Sequence, residues 1–311
     1  MLVMDDAAIA ALGVRAIDLA GPVSRALAAH ALGEMLVEPK RMQLAASGAY
    51  AIGTHGLWQE QDRAFFHNLV GLDREPVKGA RSTYRSAQVL FRSSDAMPLL
   101  TIHGNMMSSV LPVVMTLIAA QKFAPQSVEA VSFIGAGLQA RLHLDELTAM
   151  FPLKRIFSHS RSRNSSHALA DYAAARGMPT VICDDPQEAV RGGDIVVSSI
   201  SESFGVEPFL DTGWLKPDAL LSSVDMLRPW RGARELLVIA DDALQARQMI
   251  EAGRVPGVFP IDHELGGLLA GEKPSRKGEP APVVLFHPGC CAGLFGMASA
   301  LHEIHELFTD R

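Results

Sequence analysis

The run Val131-Ser132-Phe133-Ile134-Gly135-Ala136-Gly137-Leu138-Gln139-Ala140 decides how this chain folds. Its first four residues predict a short buried strand, and the pattern G-x-G-x-x-A follows directly, at the head of a helix. Each small residue has a physical task there. Gly135 lets the chain turn tightly. Gly137, with no side chain, lets the backbone approach a pyrophosphate closely. Ala140 allows close packing of helix against strand, and the helix N-terminus offers unpaired N–H groups to phosphate. Gly135, Ala136, Gly137, Leu138 and Gln139 are therefore candidate cofactor contacts.

Downstream of this run the chain alternates. A helix is expected over 138–150, with Leu138, Leu142 and Leu147 toward the core. Strands are expected at Arg155–Phe157, Thr180–Cys183, Asp194–Ile200, Ala219–Val224 and Leu237–Ala240, with helices near 164–176 and 186–191. That rhythm predicts βαβ units and a parallel sheet. Gly271–Pro282, rich in Gly, Pro and charge, reads as an exposed connection, and a last helix runs through Ala298–Leu307. Upstream the character differs. Residues 17–37 carry a helical apolar pattern with Asp18 as cap. Residues 42–105 hold short strands such as Ala87–Phe91 and Leu99–His103 and predict a mostly antiparallel sheet. Residues 106–124 return to a helix, with Pro112 tolerated near its first turn. The expected fold class is α/β: a Rossmann dinucleotide-binding domain plus an α+β domain.

Composition is consistent with this. A length of 311 residues predicts about two domains. With 48% hydrophobic and 20% charged residues the chain can bury a core. A net charge of −6 argues against a nucleic-acid groove. Three cysteines form no disulfide framework and are expected as buried thiols in a reducing compartment. The N-terminus lacks the basic-then-apolar order of a signal peptide. The apolar runs Val110–Ala120 and Gly289–Leu301 fall short of the roughly 18 residues a membrane span requires. The expectation is a cytoplasmic protein without nucleic-acid or membrane partners. No metal site is expected: His302-Glu303-Ile304-His305 has i, i+3 spacing where the zinc helix needs i, i+4, and reads as a solvated helix face.

Cofactor choice is read at the end of the second strand of such a domain, where NAD-selective folds place an acid on the ribose 2′-hydroxyl. Here stand Ser158-His159-Ser160-Arg161-Ser162-Arg163, with no carboxylate and two arginines. Guanidinium pairs well with phosphate. Ser160 and Arg161 are thus candidate contacts to a 2′-phosphate. NADP(H) is the preferred cofactor and NAD(H) the alternative, and the arginines forming only a solvated face is the bland reading.

The run Ile134–Arg141 resembles the dinucleotide loop of the ornithine cyclodeaminase and mu-crystallin family. Ile195–Ser201 is similar to that family's fourth strand and cofactor-contacting turn. Leu220–Val224 followed by Gly232-Ala233-Arg234-Glu235-Leu236, then Asp241-Asp242, Glu264–Gly271 and Ala119–Ala124, resemble further family elements in order and spacing. The resemblance runs from about residue 20 to the end and is strongest over 119–271. It implies a two-domain enzyme, usually a homodimer. Residues 1–118 and 286–311 would bind substrate and form the dimer, and 119–285 would bind NAD(P). It adds Ser198, Ser199, Ile200 and Val224 as cofactor contacts. It implies hydride transfer at the α-carbon of a small amino or imino acid, as in ornithine cyclodeaminases, amino-acid dehydrogenases and ketimine reductases.

The substrate-gripping set departs from the family. Leu111 stands where the family has a carboxylate-binding arginine, and Leu227 where it has its catalytic aspartate. The family's substrate lysine has no counterpart, Phe66 and His67 being nearest by spacing, and Phe286-His287-Pro288-Gly289 replaces a Lys-Ser-x-Gly-like segment. Asp225, after a buried strand at the sheet's carboxyl edge, is the candidate proton-transfer group; a turn aspartate is its bland reading. Arg41, His67 and Arg85 are the candidate substrate contacts, set against a surface arginine or a partly buried histidine. His103 and Asn105 are further candidate polar liners. Two classes stay open: an NAD(P)-dependent oxidoreductase acting on a small amino, imino or keto acid, and a non-catalytic NADP(H)- or small-ligand-binding protein of the mu-crystallin type.

Overall fold

The computed structural model describes residues 1–72, 83–200, 207–232, 235–255, 259–274 and 281–309. The chain divides into two compact units: Met1–Val114 with Leu269–Gly271 and Cys290–Arg311, and Met115–Leu268 with Glu272–Gly289. Ser201, Ala233, Arg234 and the 275–280 part of the expected connection lie outside the described residues.

The first unit opens with β1 (Leu2–Met4), α1 (Asp6–Ala11) and α2 (Ala16–Ala31). Leu19, Val23, Ala26 and Leu27 form the buried stripe of α2. The helix is shorter than the expected 17–37. Gly33 turns the chain in the left-handed region at φ +76°, and Met35–Val37 leaves as strand β2. Asp18 sits inside the helix, its carboxylate accepting from the Arg15 N–H at 2.9 Å. It satisfies one N-terminal donor from the third helical position rather than from the cap. Then come β3 (Arg41–Leu44), β4 (Ala49–Trp58), β5 (Arg63–Leu72), β6 (Thr83–Arg92) and β7 (Pro98–Gly104). The sheet order is β1-β7-β6-β5-β4-β2, with β3 paired to β4. All pairs are antiparallel except β1 on β7.

Next runs α3 (Met106–Phe123). Asp6 caps it from a distance, accepting from the Asn105 N–H at 3.0 Å and the Met106 N–H at 2.9 Å. Pro112 is the seventh residue of α3, well past the first turn. At 18 residues α3 is long and apolar enough to cross a bilayer, contrary to the reading of its sequence, but 61% of it is buried inside the protein, as in a core helix.

The second unit has strands β8 (Ala130–Ile134), β9 (Arg155–His159), β10 (Thr180–Ile182), β11 (Ile195–Ser198), β12 (Leu210–Asp211), β13 (Leu220–Ser223), β14 (Trp230–Arg231), β15 (Leu237–Ala240), β16 (His263–Glu264) and β17 (Val283–Phe286). Its helices are α4 (Leu138–Met150), α5 (Arg163–Ala174), α6 (Pro186–Gly192), α7 (Ala243–Glu251) and α8 (Leu265–Leu269). The main sheet is wholly parallel in the order β10-β9-β8-β11-β13-β17-β15-β16. The order reverses at β8, which has β9 on one side and β11 on the other, the switch point at which such sheets take ligands. Strand β17, which directly follows the expected connection and was not expected from the sequence, lies between β13 and β15. Its four residues are fully buried, which explains the unbroken apolar run Val283–Phe286. In α4 the core face is Ala140, Leu144 and Leu147, while Leu138 is 61% exposed. Of the expected set Leu138, Leu142 and Leu147, Leu147 is buried, Leu142 is half-buried and Leu138 faces out.

The chain closes with α9 (Cys291–Thr309), which packs on α2 within the first unit. His302 is buried rather than on a solvated face, and burial pushes its pKa down; its Nδ1 lies 3.5 Å from Glu306. Cys183, Cys290 and Cys291 are buried thiols.

Candidate active site

The turn after β8 has the form the motif predicts. Gly135 adopts φ +96°, and a Cβ there would come within 2.7 Å of the Ser199 carbonyl oxygen. The close approach of the β8 and β11 turns therefore requires glycine. A Cβ on Gly137 would meet nothing within 4 Å. Among the described residues, that point over the N-terminus of α4 is open, and the Gly137 N-cap makes no side-chain cap hydrogen bond. Open space and free backbone donors together fit a pyrophosphate. Ala136 and Ala140 are buried, Gln139 half-buried and Leu138 exposed.

Beside this turn, His159, Ser160, Arg161, Arg163, Ile182 and Asp184 line a cavity of about 200 Å³. Ser160 and Arg161 follow β9 and line this cavity. The expectation that no carboxylate is available is corrected. Asp184, from the end of β10, enters the same cavity and pairs with Arg163 at 3.2 Å. Strand β10 runs parallel beside β9, so its last residues reach the same edge as Arg161. Both partners of this pair are largely exposed, so the bond is worth little to stability. It does engage one of the two cations.

At the neighbouring edge Ser198 is buried, Ser199, Ile200 and Val224 are half-buried, and Asp225 is 5% exposed. Asp225 accepts from the Ser198 hydroxyl at 2.5 Å, the Ser223 hydroxyl at 2.6 Å and the Ile200 N–H at 3.2 Å. Burial raises its pKa, and these three donors partly oppose the rise. The Trp230 indole N–H donates to Ser198 Oγ at 3.0 Å. Asp225 thus brings together Ser198, Ile200 and the end of β13. Leu227 is 1% exposed and packs in the apolar core of this unit. Met226 and Leu227 hold consecutive left-handed backbones at φ +59° and +58°, a conformation that costs free energy for non-glycine residues.

The candidates of the first unit separate. Paired residues of neighbouring strands share a face, and Thr54, His67, Gln88 and Ile102 form one such row. Arg41 lies in the row Gly53, Asn68, Ala87, His103, and Arg85 in the row Ala51, Val70. His67 therefore points to one face of the sheet, and Arg41 and Arg85 to the other. Arg41 is open to solvent, 3.9 Å from Glu38. Arg85 and His103 line an open cavity of about 770 Å³ with Asp5 and Asp6. Asn105 serves through its backbone, on Asp6.

His67 is fully buried where a partly buried residue was expected. Its Nδ1 accepts from Gln88 Nε2 at 3.0 Å, Gln88 Nε2 also donates to Ser86 Oγ, and Ser86 donates to the Gly104 carbonyl. Burial, with the charge of Lys40 adding to it, lowers the His67 pKa to about 3. Sequence reading missed Gln88, Ser86 and Lys40. The signal was present: Ser86 and Gln88 share the inward parity of β6 with buried Leu90. Leu111 is buried against Gly293 of α9, so an apolar contact occupies that position.

Among the described residues no group of three or more His, Cys, Asp or Glu side chains is placed to hold a metal ion.

Residues 4–289 match the sequence pattern described as the ornithine cyclodeaminase/mu-crystallin family. Ketimine reductase mu-crystallin of Mus musculus is 27% identical over 199 residues, which is 62% of each chain, so the match spans under two thirds of that relative. Delta(1)-pyrroline-2-carboxylate reductase of Thermococcus litoralis, solved with NADH and L-proline, superposes with a TM-score of 0.81 at 16% identity, over 99% of this chain and 98% of that one. An archaeal alanine dehydrogenase dimer with bound NAD gives 0.82 at 18% identity, over 99% and 97%. These superpositions establish the α/β fold, with a parallel Rossmann-like sheet and a second sheet domain.

Proposed function

The chain belongs to the ornithine cyclodeaminase/mu-crystallin family, and from that premise we propose that it is an NAD(P)-dependent oxidoreductase acting at the α-carbon of a small amino, imino or keto acid. The observation that carries this is the turn Gly135–Ala140, with the Gly135 backbone held against Ser199 and open space over Gly137. In this reading the backbone of Gly135, Ala136, Gly137, Leu138 and Gln139 holds the pyrophosphate, and Ser198, Ser199, Ile200 and Val224 line the nicotinamide end. The dinucleotide, when bound, supplies or accepts the hydride.

Asp225 is the ionisable group of this edge. Its raised pKa favours a carboxyl able to exchange a proton nearer neutrality, and its three donors hold the Ser198–Ile200 turn in place. Of the substrate candidates, His67 stands apart from Arg41 and Arg85, which cannot grip the same small acid from the opposite face of one sheet. With Leu111 and Leu227 apolar and buried, ornithine is disfavoured as substrate. Proline and ammonia are expected from it weakly or not at all.

NADP(H) is the proposed preference, NAD(H) the alternative, with Arg161 on the 2′-phosphate and Arg163 engaged by Asp184. Arg161→Ala is expected to weaken NADPH binding by about tenfold, the loss of one charged hydrogen bond, and to leave NADH nearly unchanged. Equal loss for both cofactors removes the NADP assignment. We also propose a homodimer in the cytoplasm, with a second copy covering the open sheet face of the first unit. A non-catalytic dinucleotide- or small-ligand-binding protein is the second reading. What favours it is that both oxygens of Asp225 already have donors. Spectrophotometric assay of NADPH oxidation with cyclic imines, and with α-keto acids plus amines, over pH 5–10 separates the two. Turnover is expected; tight NADPH binding with no turnover across the panel leaves the second reading.

A further inference from the structure

We propose that Thr116 is a positioning residue for the dinucleotide turn, acting through His143. The proposal rests on the reading of that turn as a pyrophosphate site. Thr116 lies in the most apolar stretch of α3, Val113–Ala120, where every residue is at most 3% exposed. A valine would fill the same volume without a buried hydroxyl to satisfy. The hydroxyl is used: Thr116 Oγ1 lies 2.9 Å from His143 Nε2 and 2.7 Å from Ser222 Oγ.

His143, fully buried on α4, turns its Nδ1 to the Gln139 carbonyl at 2.8 Å. A carbonyl only accepts, so Nδ1 carries the proton, and Nε2 shares a hydrogen bond with the Thr116 hydroxyl. On the other side Ser222 continues to His287 Nε2 at 2.8 Å, and His287 Nδ1 lies 3.8 Å from the Asp241 carboxylate. A buried polar line thus crosses from the first turn of α4 to the carboxyl ends of β13, β17 and β15. Its near end is fastened to Gln139, a member of the G-x-G-x-x-A turn. Thr116 fixes the imidazole plane, and the imidazole fixes the turn that must present its N–H groups to phosphate. A buried network of this kind rigidifies where its members are satisfied, which holds for the Gln139–His143–Thr116–Ser222 part of the line; at its far end His287 Nδ1 and Asp241 Oδ1 make no hydrogen bond among the described residues.

The test is dinucleotide titration of the full chain by calorimetry, with urea unfolding in parallel. Thr116→Val is expected to raise the Kd of NADPH and NADH alike by about tenfold, and Thr116→Ser to stay within about twofold of the parent. Val190→Ala, which trims the buried face of α6, is expected to lower stability and leave Kd unchanged. Ser222→Ala removes the next link and is expected to raise Kd in the same direction, which keeps the test open should Thr116→Val not fold. An unchanged Kd in Thr116→Val or in Ser222→Ala overturns the proposal, as does an equal rise in Val190→Ala. If the parent binds neither dinucleotide, the reading of the turn itself falls and the proposal with it. If the parent binds and Thr116→Val binds equally, the proposal alone falls.

Discussion

His67 shows what burial does to a single titratable residue. It sits at 2% exposure with its Nδ1 accepting from Gln88. Its pKa is about 3 against an ordinary 6.5. Between those values the unfolded chain binds a proton that the native protein refuses. Stability is therefore complete above pH 6.5 and falls as pH is lowered toward 3. The slope contributed approaches ~1.4 kcal/mol per pH unit. Urea unfolding of the parent and of His67→Gln at pH 4.5 and 7.5 checks this. The variant is expected to lose less stability between the two pH values, and parallel losses would remove the assignment. The position of His67 was legible from sequence only as a spacing. Its neutrality was not, because it depends first on burial beneath residues from elsewhere in the chain, with the charge of Lys40 adding to it.

At the scale of the element, α3 illustrates a division of labour. Its apolar run predicts a helix, and the helix is there. What starts it is Asp6, about a hundred residues earlier in sequence, whose carboxylate takes the Asn105 and Met106 N–H groups. An acid there satisfies donors that the helix cannot satisfy internally and complements its dipole. Asp6→Ala is expected to cost about 1–2 kcal/mol, read as a lower urea midpoint at unchanged slope. Asp6→Asn, which keeps an acceptor oxygen, should recover part of that loss. Helix α2 teaches the converse. Met35 continues the helical spacing and is fully buried, yet lies on a strand, because Gly33 breaks the helix before it. Burial of an apolar residue is compatible with either element, and the local backbone decides.

For the whole molecule, the first unit leaves one face of its sheet open. Val3, Leu57, Phe66, Val70 and Leu72 are 40–60% exposed on it, and Phe66 stacks on His55 and meets Phe91 edge-on. Several large apolar side chains exposed on one face of a sheet are the kind of surface a partner covers. A second copy of the chain is the proposed partner. Light scattering after size exclusion is expected to give twice the chain mass for the parent and the chain mass for Val70→Asp combined with Phe66→Lys. A monomeric parent would refute the contact.

The parallel sheet, the turn Gly135–Ala140 and the class of ligand it suits are written in short stretches of the chain. Those depend on local chemistry: strand-length apolar runs, the glycines of a tight strand-to-helix turn, and the helical pattern that follows them. Only the tertiary structure decided that Asp184 joins Arg163 in the cavity beside Ser160, that Val283–Phe286 is a central strand, and that His67 and Arg85 face opposite ways. It alone assembled Gln139, His143, Thr116, Ser222 and His287 into one buried line. Each of these depends on residues far apart in sequence. Strand order and register bring them together, and local spacing does not encode either.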